Sequence, residues 1–155
     1  MTAITLAPVR KSVRVKAAPA HAFEVFTARM GTWWPREMKI VTAPLKTVVV
    51  EPRAGGRWYE RGEDGAEANL GKVLAWEPPH RVVMSWEINQ HWRPDATVRA
   101  EVEVNFIADG PDLTIVEVEH RKLEVLGAEA GASVRERVDS GWPRVLEHFK
   151  AAVDA

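Results

Sequence analysis

The stretch VLAWEPPHRVVMSW, residues 73–86, decides the fold. Two runs rich in Val, Leu, Met and Trp meet at Pro78-Pro79. Neither proline can donate to a strand ladder, so the first run ends there and the second returns beside it. The result is a β-hairpin with bulky apolar flanks. Trp86 is expected to face an enclosed space, whereas the alternation leaves the side taken by Trp76 open. Such a hairpin either fills a solid core or walls a cavity.

Moving outward, the same period of two continues. LKTVVVEP, GGRWYERGEDG and EANLGKVLAWEPP read as strands upstream, with Gly-rich turns between them. Downstream, Val98, Ala100, Val102, Val104 and Phe106 share one face, and Arg99, Glu101, Glu103 and Asn105 the other. After a DGPD turn, Thr114, Val116, Val118 and His120 lie on one side of a last strand, opposite Ile115, Glu117 and Glu119. One apolar and one charged face is the mark of an antiparallel sheet wetted on one side. Residues 8–16 give a weaker first strand.

Two segments switch to helical period. Ala22, Phe23, Val25 and Phe26 form a stripe behind Pro19, and Gly31 is expected to stop that helix. Near the C-terminus, Val134, Val138, Trp142, Val145, Leu146, Phe149 and Val153 recur at spacings of three and four. Ser133 with Glu136 reads as its capping box. Gly141 and Pro143 predict a kink or break in this helix. A curved antiparallel sheet covered by one long helix is an α+β arrangement.

Composition narrows the function. The 155 residues suit a single domain, 1–155, with a core of its own. There is no cysteine, which excludes disulfides, thiolate zinc sites and a cysteine nucleophile. The 21 basic and 22 acidic residues give a net charge of -1, so no nucleic-acid or membrane partner is expected. The N-terminus MTAITLAPVRK lacks the charged start and long apolar run of a signal peptide, and a cytoplasmic location is expected. His80, His91, His120 and His148 fall on separate elements, so no metal and no cofactor is expected. There is no nucleophile elbow and no phosphate loop.

Seven tryptophans against one tyrosine and four phenylalanines point to a bulky core or an aromatic-lined pocket. Trp58, Met84, Trp86, Phe106 and Trp142 all point inward on the alternation. Glu60, two positions from Trp58, and His120, at the end of the Val116–Val118 row, add polar groups to that face. A mostly apolar pocket with a few converging polar groups is the usual form of a small-molecule site.

In order and spacing, GGRWYERGEDG, GKVLAWEPPHRVVMSW, VEVEHRKL and SGWPRVLEHF resemble the family of the activator of heat-shock protein 90 ATPase, homologue type. The opening VRVKAAPAHAFEVFT matches as well, and the resemblance runs over about residues 8 to 153. The family belongs to the START-like (SRPBCC, Bet v 1-like) superfamily. The resemblance implies a helix-grip fold: a seven-stranded antiparallel sheet around a long C-terminal helix, enclosing a hydrophobic cavity. It also implies the stand-alone bacterial type, without the extra domain of the eukaryotic cochaperones.

Three functions are open. The first is binding of an apolar or aromatic small molecule or lipid. Trp58, Glu60, Met84, Trp86, Phe106, Val116, Val118, His120, Trp142, Val145 and Phe149 would line the site. The second is a protein-interaction module with a chaperone partner, and a homodimer is a further assembly to consider. The third is a cyclase or hydrolase using Glu60 and His120, ranked last because spacing shows no preorganised catalytic set. His120 is read either as a cavity group or as a histidine bonded within the fold, the latter preferred. Glu60 is either a buried base or an ion-pair partner of Arg57, Arg61 or another arginine across the sheet. Trp33-Trp34 either cap a mouth or pack a loop. His91, Trp92 and Arg93 form either a gate or an ordinary loop.

Overall fold

A computed structural model describes residues 5–155, so the first four residues of the N-terminal stretch lie outside the described residues. Seven strands form one antiparallel sheet: β1 (Val9–Val15), β2 (Leu45–Val50), β3 (Arg57–Gly62), β4 (Glu67–Glu77), β5 (Arg81–Trp86), β6 (Ala100–Ala108) and β7 (Thr114–Arg121). Their spatial order is β1-β7-β6-β5-β4-β3-β2. Strands β2 to β7 thus form a meander, and β1 closes onto its last member. Helices α1 (Pro19–Thr27) and α2 (Met30–Trp33) follow β1, and α3 (Ala128–Asp154) ends the chain. This is the helix-grip arrangement, with a curled sheet folded around a long C-terminal helix.

Register carries the alternation across the sheet. Trp86 faces Ala100, Met84 faces Val102 and Val82 faces Val104. Val102, Val104 and Phe106 in turn face His120, Val118 and Val116. All of these side chains are buried. The opposite face carries an ionic ladder. Arg121 bonds Glu101, Glu103 and Glu119, while Arg81 bonds Glu103 and Glu77. The hydrogen bond from Arg81 leads the effects that hold the Glu103 carboxyl down at about 2.

The sheet is not uniformly pleated. A bulge between Val73 and Ala75 shifts the β4–β5 register, so Val73 pairs with Met84 and Trp76 with Val82. Two residues three apart in β4 therefore share the inner face, which a strict period of two forbids. Trp76 lies half-buried there, edge-on to Phe23 at 5.0 Å.

Three local expectations change. Gly31 does not stop α1, which already ends at Thr27; it lies inside α2. A β-carbon at Gly31 would fall 2.0 Å from Thr47 Oγ1, so glycine is what lets α2 pack on β2. Ser133 does not cap α3, because the helix starts five residues earlier, at Ala128. Gly127, at a φ of 94° that glycine alone adopts readily, ends a short 3₁₀ turn (Leu123–Leu126) and launches α3 at once. Finally, α3 runs unbroken through Gly141 and Pro143. Its buried stripe, Val134, Val138, Trp142, Val145, Leu146, Phe149 and Val153, flanks the proline on both sides and offsets the one lost hydrogen bond. No helix among the described residues is long and apolar enough to cross a membrane.

Candidate functional site

The interior divides into two ends. At one end α1 supplies Phe23 and Phe26, which stand edge-on to Phe106 at 5.1 and 5.8 Å. Phe26 also meets Phe149 at 5.2 Å, and Phe149 meets Trp33 at 5.3 Å. That end is solid. At the other end α1 is absent, and the space is covered by the connection from Trp34 to Ile40. A cleft of about 200 Å³ remains there.

Its walls come from four parts of the chain. Val138, Gly141, Trp142 and Val145 belong to α3, and Trp34, Glu37, Met38 and Ile40 to the connection. Glu60, Leu70 and Trp86 come from the sheet, and Trp92 from the β5–β6 loop. Arg137 lies at the rim, its guanidinium 4.2 Å from the Trp92 ring centre, a cation–π contact. Gly141 borders the cleft on an unbroken helix, where an added β-carbon would meet only Met38 Cε at 3.7 Å.

Of the residues expected to line a cavity, the structure brings Glu60, Trp86, Trp142 and Val145 together at this cleft. Met84, Phe106, Val116, Val118 and Phe149 point inward as expected but are buried away from it. Trp58 is fully buried behind the wall, 6.4 Å from the Trp34 ring and 6.0 Å from that of Trp86. Alternation tells which residues point inward, but not which end of the sheet the helices leave open. Trp33 and Trp34 divide between the two roles: Trp33 packs in the solid end, and Trp34 walls the cleft. Met38, Ile40 and Leu70 carried no signal in sequence, whereas Val138 belonged to the helical stripe and Gly141 to the expected kink.

His120 is bonded within the fold. It is fully buried, and its Nδ1 accepts the Trp142 indole N–H at 3.0 Å. An accepting Nδ1 leaves the ring proton on Nε2, so the ring is neutral. Burial pushes its pKa down to about 3. It stands edge-on to Trp86 at 4.8 Å, behind two walls of the cleft, and does not line it.

Glu60 does line it, and pairs with neither Arg57 nor Arg61. Those arginines bond Glu67. Oε1 of Glu60 instead accepts the backbone N–H groups of Ile40 at 2.7 Å and Val41 at 3.0 Å. Burial pushes the carboxyl pKa up, against the two amide bonds and the charge of Lys39. Its Oε2 has no partner among the described residues.

The β5–β6 loop is tightly built. Asn89 Oδ1 accepts the N–H groups of His91 and Arg93, and Trp92 donates its own N–H to the Asn89 carbonyl. Trp92 adopts a φ of 59°, uncommon for a bulky residue, and lies 5.6 Å from the Trp86 ring. The loop thus presents one aromatic ring to the cleft. No group of three His, Asp or Glu side chains among the described residues could hold a metal ion.

Comparisons with known proteins agree with this architecture. One solved structure, described as an anthrahydroquino-gamma-pyrone synthase, Txn09, complexed with SUM, is 39% identical. It has a TM-score of 0.66 over 95% of this chain and 97% of that one. A second is the self-sacrificing resistance protein CalC from Micromonospora echinospora, 37% identical. Its TM-score is 0.72 over 96% of this chain and 94% of that one. The Aha1 dimer from Colwellia psychrerythraea shares the fold at 14% identity, with a TM-score of 0.66 over 96% and 97%. No curated protein matches. The family model described as Activator of Hsp90 ATPase homolog 1-like protein matches residues 16–154. On that match across nearly its whole length, the chain belongs to the Activator of Hsp90 ATPase homolog 1-like family.

Proposed function

We propose that the chain is a binding protein for a small aromatic molecule held in the cleft between α3 and the β3–β5 part of the sheet. The observation that carries this reading is the wall itself. Four indoles, Trp34, Trp86, Trp92 and Trp142, surround one opening beside a single buried carboxylate. A cavity of roughly 150 Å³ holds benzene, so a space of about 200 Å³ suits one or two fused rings. Flat rings gain from edge and face contacts with indoles beyond simple burial. The two solved structures above 35% identity support the reading, since one is described as a synthase in complex with a ligand and the other as a resistance protein.

A chaperone contact is the second reading, favoured by the family's description. It would use the outer face of the sheet, where the arginines and glutamates of β5 to β7 are already paired with one another. Self-paired charge offers a partner little, so the cleft carries the stronger case. No bond-making step is assigned, because His120 does not line the cleft with Glu60.

Ligand-observed NMR with one- and two-ring aromatics tests the reading. A dissociation constant on the order of 0.1–1 mM is expected for compounds of about ten heavy atoms. Trp86→Ala should weaken it roughly ten-fold by removing one wall. Absence of any binding, or equal binding by the variant, would refute the cleft as a site.

A further inference from the structure

The buried indoles of this fold differ in whether their N–H groups are used. Trp33 donates to the Val25 carbonyl at 2.8 Å, and Trp142 to His120 at 3.0 Å. Trp34 and Trp86, which line the cleft, donate to nothing among the described residues, and nor does Trp58 behind them. Glu60 shows the complementary deficit. Its Oε1 is occupied by two backbone N–H groups, which fix the carboxylate in place, and its Oε2 is buried and unpartnered. Buried polar groups are nearly always hydrogen-bonded, and each exception calls for an explanation.

The two deficits differ in kind. Indole N–H groups only donate, and an ionised carboxylate only accepts. A hydrocarbon or acyl chain in the cleft would leave both unanswered. A ligand with acceptors alone would answer the indoles and set a lone pair against Glu60. A ligand with donors alone would answer Glu60 and leave the indoles dry. Resting on the binding reading above, we propose that the occupant is an aromatic carbonyl compound that also carries a hydroxyl. Its carbonyl oxygen accepts from Trp34 or Trp86, and its hydroxyl donates to Oε2 of Glu60. Trp34, Trp86 and Glu60 are thereby the residues that select among aromatic ligands of equal size.

A matched set of bicyclic compounds tests this by ligand-observed NMR or calorimetry on the full chain. The set is tetralin, 1-tetralone, 5,6,7,8-tetrahydro-2-naphthol and 6-hydroxy-1-tetralone. The hydroxyketone should bind at least ten-fold more tightly than tetralin, with the two single-function compounds between them. Glu60→Gln keeps an oxygen for the Ile40 and Val41 amides. It should remove most of the advantage that the hydroxyl gives over tetralin when both are measured on the same variant. Trp86→Phe should reduce the advantage of the carbonyl in the same way. If tetralin binds as tightly as 6-hydroxy-1-tetralone, the polar selection is wrong and the binding reading stands. If no member of the set binds, both are wrong. Should either variant fail to fold, the ranking of the four compounds on the unsubstituted chain still decides.

Discussion

Truncating Phe149 to alanine is expected to lower the free energy of unfolding by about 3–5 kcal/mol. The residue is fully buried on α3 and wedged between Phe26 at 5.2 Å and Trp33 at 5.3 Å. Both neighbours are themselves pinned: Trp33 by its bond to the Val25 carbonyl, Phe26 by Phe106 on the sheet. Neither ring can swing in to refill the space, so the cavity penalty adds to the lost transfer energy. Urea unfolding should show the midpoint fall with an unchanged slope, and the melting temperature should drop by roughly 10 °C or more. Phe149→Leu keeps most of the volume and should cost less than half as much. A loss below about 1 kcal/mol for the alanine variant would mean that this end of the interior is loosely packed.

The second large effect is loss of stability in acid, traced to His120. Its pKa is about 3 in the fold and about 6.5 in an unfolded chain. Below 6.5 the unfolded chain takes up a proton that the folded ring refuses, so acid favours unfolding. The contribution is complete above about pH 6.5 and declines as pH falls toward 3. By pH 4 the loss amounts to about 3 kcal/mol, a sizeable part of the stability of an ordinary domain. Glu103, held at about 2, adds in the same direction as pH falls below its ordinary range. Glu60 opposes, since a raised carboxyl pKa contributes stability that is lost as pH rises through it. His120→Gln isolates the histidine. Glutamine does not titrate and still offers an acceptor to Trp142. The drop in stability between pH 7 and pH 4, measured by urea unfolding at each pH, should be about 3 kcal/mol smaller in this variant. Parallel losses in the two proteins would show that His120 is protonated in the fold.

Much of the architecture could be read from polarity alone. The alternations at Val98–Phe106 and Thr114–His120 locate two central strands and their inner faces. The stripe from Val134 to Val153 locates the helix that covers them. What polarity could not show is where geometry departs from a regular period. The bulge near Leu74 turns Trp76 inward, and Gly127 launches α3 ahead of the expected cap at Ser133. The site was legible in the same partial way. Glu60, Trp86, Trp142 and Val145 could be named as inward-facing, and they do meet at the cleft. Val116, Val118, Phe106, Met84 and Phe149 face inward equally well, but the phenylalanines of α1 fill that end. Docking of α1 is a tertiary event, and no repeat along one strand encodes it. The partners of Glu60 were hidden for a similar reason. They are backbone amides twenty residues upstream, whose side chains bear no relation to the bond they make.

The carboxylate of Glu60 faces two ways. Oε1 fastens the segment around Ile40 and Val41 to the sheet, and Oε2, on a residue that lines the cleft, is buried without a partner among the described residues. Whatever draws charge toward one oxygen weakens the hold of the other. On the binding proposal, a guest that bonds Oε2 is expected to alter the hydrogen bonds of the Ile40 and Val41 amides to Oε1. Their rates of exchange with deuterated solvent should then change on adding the guest, a readout that needs no label on it.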